Sequence, residues 1–301
     1  MPDRLTIIGV PSSAGAYAPG QEKAPAALRD ADLPELLSTH EIPFEDQGDV
    51  SDFRWQPDPA NPRAMNASVV ERVAKSTAAI VSAALDEDNA LLILGGDCTV
   101  ELGVVAGILA HTENIGLVYI DLDTDLNTPE STTDGALDWM GVAHLLGIDG
   151  TVPELVELGP RTPMLQPHQI HFFANDNSEP FERNIIKEHG IAETPLADVE
   201  ADPAQAGQTV AMGWGQQFDR LLIHLDVDVL DFAEFPIAEN TRRNRGLQFD
   251  QLMETLRPLV GAPNFTALTI TEVNPDHTDE DGSTLRTFVE ALVKVLADAL
   301  H

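Results

Sequence analysis

Apolar residues along the chain gather in short runs, and between the runs lie longer stretches where apolar and polar positions recur with a helical period. The runs at 5–10, 90–94, 115–120, 169–173, 220–225 and 265–270 have the length and near-continuous apolar character of strands buried on both faces. Between them, 24–31, 67–85, 100–111, 141–146, 249–260 and 283–300 are predicted helices. Such alternation predicts a three-layer αβα sandwich around a mostly parallel sheet. The Pro-rich stretch 56–63 and the acidic segment 196–203 are expected to be surface loops, because strand signals continue on either side. One domain over 1–301 is the expected organisation.

In an open α/β sheet, ligands sit beyond the carboxyl ends of the strands. Four apolar runs here end at once in polar clusters: Gly95-Gly96-Asp97-Cys98, Asp121-Leu122-Asp123-Thr124-Asp125, Asp226-Val227-Asp228 and Glu272-Val273-Asn274-Pro275. Extended chain alternates its side chains, so Asp121, Asp123 and Asp125 can share a face, as can Asp226 and Asp228. Five converging carboxylates raise one another's pKa strongly unless something positive lies among them, and one or two divalent cations would serve. A helix-loop-helix calcium site is excluded: starting from Asp121, its required Gly and Glu positions hold Leu126 and Thr132. No GxxxxGK[ST] phosphate cradle occurs either.

Composition narrows the partners. With 50 Asp and Glu against 17 Lys and Arg, the formal charge is −33, a field that repels nucleic acid and anionic lipid and favours small cations. The bulk of this acidity has a plain reading as a surface kept hydrated in concentrated salt. One cysteine excludes an internal disulfide. There is no signal-peptide pattern at the start and no apolar stretch near the roughly 20 residues that span a bilayer, so a cytoplasmic protein is expected.

Taken together, the clusters resemble the arginase/agmatinase/formimidoylglutamase (ureohydrolase) family, and the similarity spans nearly the whole chain. Gly9-Val10-Pro11-Ser12-Ser13-Ala14-Gly15, with Gly20-Gln21-Glu22-Lys23-Ala24-Pro25, is similar to the family's opening strand, loop and first helix. Gly95-Gly96-Asp97-Cys98-Thr99 resembles Gly-Gly-Asp-His-Ser, and Asp121 to Pro129 resembles Asp-Ala-His-x-Asp-x-Asn-x-Pro. Asp226 to Asp231 and Glu272 to Pro275 match Asp-x-Asp-x-x-Asp-Pro and Glu-x-Asn-Pro. The resemblance implies a binuclear, usually manganese, centre whose metal-bound hydroxide attacks a guanidinium or amidine carbon. It further implies a homo-oligomer, trimer or hexamer.

Carried over by position, Cys98, Asp121, Asp125 and Asp226 would hold one ion, and Asp121, Asp123, Asp226 and Asp228 the other. Glu272 would grip the cationic substrate, Asn127 would contact its far end, and Asp134, Asp176 and Glu179 are candidates beside it. The family's two ligand histidines are replaced here by Cys98 and Asp123, and the histidine credited with proton shuttling by Asp138. A more negative ligand set makes weaker Lewis acids, and sulfur and oxygen donors pull toward different metals. Two functional readings follow. One is a metal-dependent C–N hydrolase in which Asp125, Asp138 and Glu272 take part in catalysis. The other is a non-catalytic binding or regulatory relative with a degraded metal site. Cys98 is open to a second reading as a buried neutral thiol. His224 can face the acids or pack behind them; His144 reads as an ordinary helix residue and His277 as a loop residue.

Overall fold

In a computed structural model that describes residues 2, 4–132, 134–242 and 244–300, eight strands form one sheet. They are β1 (Arg4–Gly9), β2 (Phe44–Asp49), β3 (Asn89–Leu94), β4 (Ile115–Ile120), β5 (Ile170–Asn175), β6 (Ala192–Pro195), β7 (Arg220–Asp226) and β8 (Phe265–Thr271). Their order is β2-β1-β3-β8-β7-β4-β5-β6, and every neighbouring pair is parallel. All eight carboxyl ends therefore open on the same edge.

β3, β4 and β8 are buried at every position, as strands covered by helices on both faces must be. On one face the core includes Leu28, Leu252, Leu256, Phe288 and Leu292, from helices Ala24–Asp30, Phe249–Val260 and Ser283–Leu300. On the other, Val70, Val73, Leu102, Val105 and Leu145 pack from helices Ala67–Ala84, Val100–Leu109 and Gly141–Leu146. The result is the three-layer sandwich that the alternation predicts.

All six expected strands and six expected helices are present, with ends shifted by two residues at most. Strands β2 and β6 were not expected. Both lie at the margins of the sheet and carry mostly partly or fully exposed residues, so neither has an apolar run to betray it. β2 is fastened by Arg29, whose Nε lies 2.7 Å from Asp46 Oδ2 and Nη1 2.6 Å from Asp49 Oδ1. The segment 196–203 is not the expected surface loop. Leu196 and Val199 are buried in a short helix, Leu196–Ala201, and helix Pro203–Gln217 follows. The stretch 56–63 contains no helix or strand. Among the described residues, no helix is long and apolar enough to cross a membrane.

Candidate metal centre

The polar clusters meet at the carboxyl ends of the four central strands, β3, β8, β7 and β4. Beyond β3 the chain passes so close to the first loop that a Cβ at Gly96 would lie 1.8 Å from Ser12 O, which only glycine avoids. Buried Asp97 fastens this crossing by accepting from Gly15 N at 2.9 Å and Thr99 N at 3.0 Å. Cys98 follows at the start of a helix. β4 and β7 end in the same turn: Asp121 Oδ1 accepts Asp123 N–H at 2.7 Å, and Asp226 Oδ1 accepts Asp228 N–H at 2.7 Å. An Asx turn of this kind holds each leading carboxylate by one oxygen.

Two clusters of donor atoms result. Cys98, Asp121 and Asp226 bring one atom each within 4.8 Å of one another, as do Asp121, Asp123 and Asp228. Asp121 belongs to both. Asp125 falls outside these clusters, although it lines the same cavity. It is buried in a left-handed conformation (φ 48°), and Oδ2 accepts the Tyr119 hydroxyl. Glu272 is also left-handed (φ 63°), and its carboxylate accepts Gln21 Nε2 at 3.0 Å and Cys98 N at 3.1 Å. Non-glycine residues in this region are strained, and such strain gathers at functional sites. The cavity measures about 40 Å³, space for one or two ions or waters. Asp138 reaches it as well.

Burial, with the neighbouring acids next, holds Asp121 and Asp226 well above the usual carboxylate range. Asp138 is raised in the same way, and burial raises Glu272 despite the lowering effect of its bond from Gln21. Asp125 is raised by burial despite the lowering effect of its bond from Tyr119. Burial and Asp226 push the Cys98 thiol up. Donors of this chemistry, crowded out of water, fit divalent cations: ions placed among them would reverse every one of these shifts.

A second groove, of about 530 Å³, shares Asp123 and Trp139 with the cavity and carries Asn127, Asp134 and Glu179 along its wall. Asp134 Oδ1 is engaged with Ala136 N–H at 3.2 Å, and Asn127 Oδ1 accepts from Ser131 at 2.9 Å. Asp176 does not join them; its carboxylate turns to Arg245, 2.9 Å away. Trp139, next to Asp138 in sequence, lines the cavity too, as do Tyr17 and Asn240, which the sequence alone does not point to. Tyr17 lies between two matched motif segments, and Asn240 in a loop that no motif reaches; neither carries a local signal. His144 is a satisfied core histidine, with Nδ1 2.6 Å from Met140 O and Nε2 accepting from Val152 N at 3.1 Å. His277 binds Ala238 O at 2.8 Å, away from the cavity lining.

Fold and site define a parallel α/β protein with an acidic, cation-seeking centre at one edge of its sheet. The Arginase family model matches residues 3–297, and the chain belongs to that family. It is 28% identical over 295 residues to the arginase of Bacillus subtilis (strain 168), covering 97% of this chain and 98% of that one. It is 28% identical over 298 residues to Homo sapiens arginase-1, covering 97% and 92%. The crystal structure of the Bacillus subtilis arginase superposes with a TM-score of 0.85 at 26% identity, over 97% of this chain and 98% of that one.

Proposed function

We propose that this arginase-family protein is a metal-dependent hydrolase that cleaves a C–N bond of a small guanidino or amidino compound. The observation that carries this reading is the pair of donor clusters sharing Asp121 in a cavity that also presents Glu272 and Asp138. Cys98, Asp121 and Asp226 would hold an inner ion, and Asp121, Asp123 and Asp228 an outer one, with an all-oxygen set suited to Mn²⁺. Divalent ions bound there supply Lewis acidity, neutralising the carboxylates and bringing water toward ionisation at neutral pH.

The chain's own residues do the rest. Glu272, anchored by Gln21 and the Cys98 amide, offers a fixed anionic edge to a planar cation. Asp138, whose Oδ1 accepts the Trp139 amide at 2.9 Å, lines the same cavity and is the residue placed to pass a proton to the departing nitrogen. Tyr17 and Trp139, 38% and 42% exposed, flank the entrance as aromatic faces for a cation. The residues lining the outer groove include Asp123, Asp134, Glu179 and Glu182, and among the described residues none of that lining is Lys, Arg or His. A substrate whose far end is neutral or cationic suits that wall better than one ending in a carboxylate.

Urea or ammonia release after metal loading tests the proposal. A panel pairing L-arginine with guanidino compounds of equal length but no carboxylate should show turnover, with the second group preferred. A protein that binds no Mn²⁺, Zn²⁺ or Co²⁺ and turns over none of the panel would support the non-catalytic reading instead.

A further inference from the structure

Behind the cavity, a row of side chains outside its lining runs into the sulfur of Cys98. Glu101 is buried (2% exposed) in helix Val100–Leu109, whose other residues are all buried and uncharged. Its Oε2 lies 3.2 Å from Nδ1 of His224, which is fully buried on β7. His224 Nε2 lies 3.2 Å from Thr271 Oγ1, at the end of β8, and that hydroxyl is 3.3 Å from Cys98 Sγ. Sγ donates in turn to Asp226 Oδ2 at 3.1 Å. The His224 ring stacks on Tyr119, with centroids 4.1 Å apart and planes 2° from parallel, and Tyr119 donates to Asp125. One imidazole thus braces two residues of the cavity.

Packing alone does not account for this row. A carboxylate and an imidazole in an apolar interior forfeit hydration, and Glu101 Oε1 finds no hydrogen-bond partner there. Aliphatic and aromatic side chains of similar volume would fill the space at equal or better stability. The polar row ends at the sulfur, and outer partners that orient a ligand are a recurrent requirement of metal sites.

We propose that Glu101, His224 and Thr271 are positioning residues that hold Cys98 Sγ as a metal ligand, so that the inner position takes a thiophilic divalent ion such as Zn²⁺ or Co²⁺. This rests on the metal-dependent reading above and deepens it: the two positions select different metals, sulfur at the inner and oxygen alone at the outer.

The test is titration of the metal-stripped full chain with Co²⁺, read by the sulfur-to-cobalt charge-transfer absorption. The wild type should develop that band and Cys98→Ser should not. Thr271→Val replaces the hydroxyl, which also reaches Leu225 O at 3.3 Å, with a methyl group; it should weaken Co²⁺ binding at the band-forming position about 10- to 100-fold. Glu101→Leu with His224→Phe should match or exceed wild-type stability and weaken the same position. Co²⁺ bound without the band overturns ligation by Cys98 while leaving the hydrolase reading intact. A band and affinity untouched by Thr271→Val, or a double variant that is destabilised yet binds as before, makes the row structural and overturns the proposal. Failure to bind any divalent ion overturns both readings.

Discussion

The inner and outer donor clusters share Asp121 and almost nothing else. The inner one is wholly buried, and a packed hydrogen-bonded row stands behind its sulfur. The outer one is partly open: Asp123 is half-buried, and its Oδ1 takes a hydrogen bond from Asn177, an exposed residue. The contrast teaches how differently two donor clusters in one cavity can be supported. A donor set into the core can be exchanged only if its packed surroundings adjust with it, whereas one at the rim can be exchanged with little behind it to repack.

The largest expected effect comes from the inner cluster. Asp226→Asn should lower hydrolysis by at least about 10³-fold, the scale on which removing electrostatic stabilisation acts, and abolish inner-site binding. The same change should raise the melting temperature of the metal-free protein, since it removes one of several carboxylates that burial already disfavours. A metal-free melting temperature lower than wild type would contradict the electrostatic account. Metal removal sharpens the point through pH. Asp121, Asp125, Asp138, Asp226 and Glu272 have folded pKa values above their unfolded ones, so the metal-free fold holds extra protons. Their contribution is complete below the ordinary carboxylate range and is lost as pH climbs through the raised values. Ions replace those protons, so the gain in melting temperature on adding Mn²⁺ should widen from pH 5 to pH 8; a constant gain would refute the linkage.

At the rim, Asp123→Asn should weaken the outer ion about 10- to 100-fold and leave the cobalt–sulfur band in place. Elemental analysis alongside the spectrum checks this, and joint loss of both ions would erase the distinction between the clusters. The smallest effect on activity belongs to a control far from both. Burial lowers the pKa of His171 to about 4, so the neutral ring's contribution is complete above about pH 6.5 and is lost as pH falls toward 4. His171→Phe should flatten that acid limb by up to about 3 kcal/mol in denaturant melts and leave turnover unchanged.

The central strands and the order of the four acidic clusters were legible because their physics is local: apolar runs that end in carboxylates announce a buried sheet with a charged edge. What stayed hidden depends on depth and on partners distant in sequence. His224 shares a side of β7 with Asp226, which two-residue alternation foretold, but its place behind the cavity was set by Glu101, 123 positions away. Asp125 reads as a ligand by spacing, yet its left-handed backbone and the Tyr119 hydroxyl place it outside both clusters. β2 and β6 escaped notice because their residues are largely polar and partly exposed.

That polarity has a consequence for crowded solutions. A sheet that ends in unpaired backbone at each margin is a template on which another chain could add strands and start a fibril. The sequence Phe44-Glu45-Asp46-Gln47-Gly48-Asp49 could be zipped into such a stack only by stripping water from the Glu45 carboxylate and from what Asp46 and Asp49 still expose beside Arg29. Dissolved salt shields charges from one another but does not remove that dehydration penalty. The margin therefore stays resistant to templated aggregation even at ionic strengths where long-range repulsion between molecules has faded.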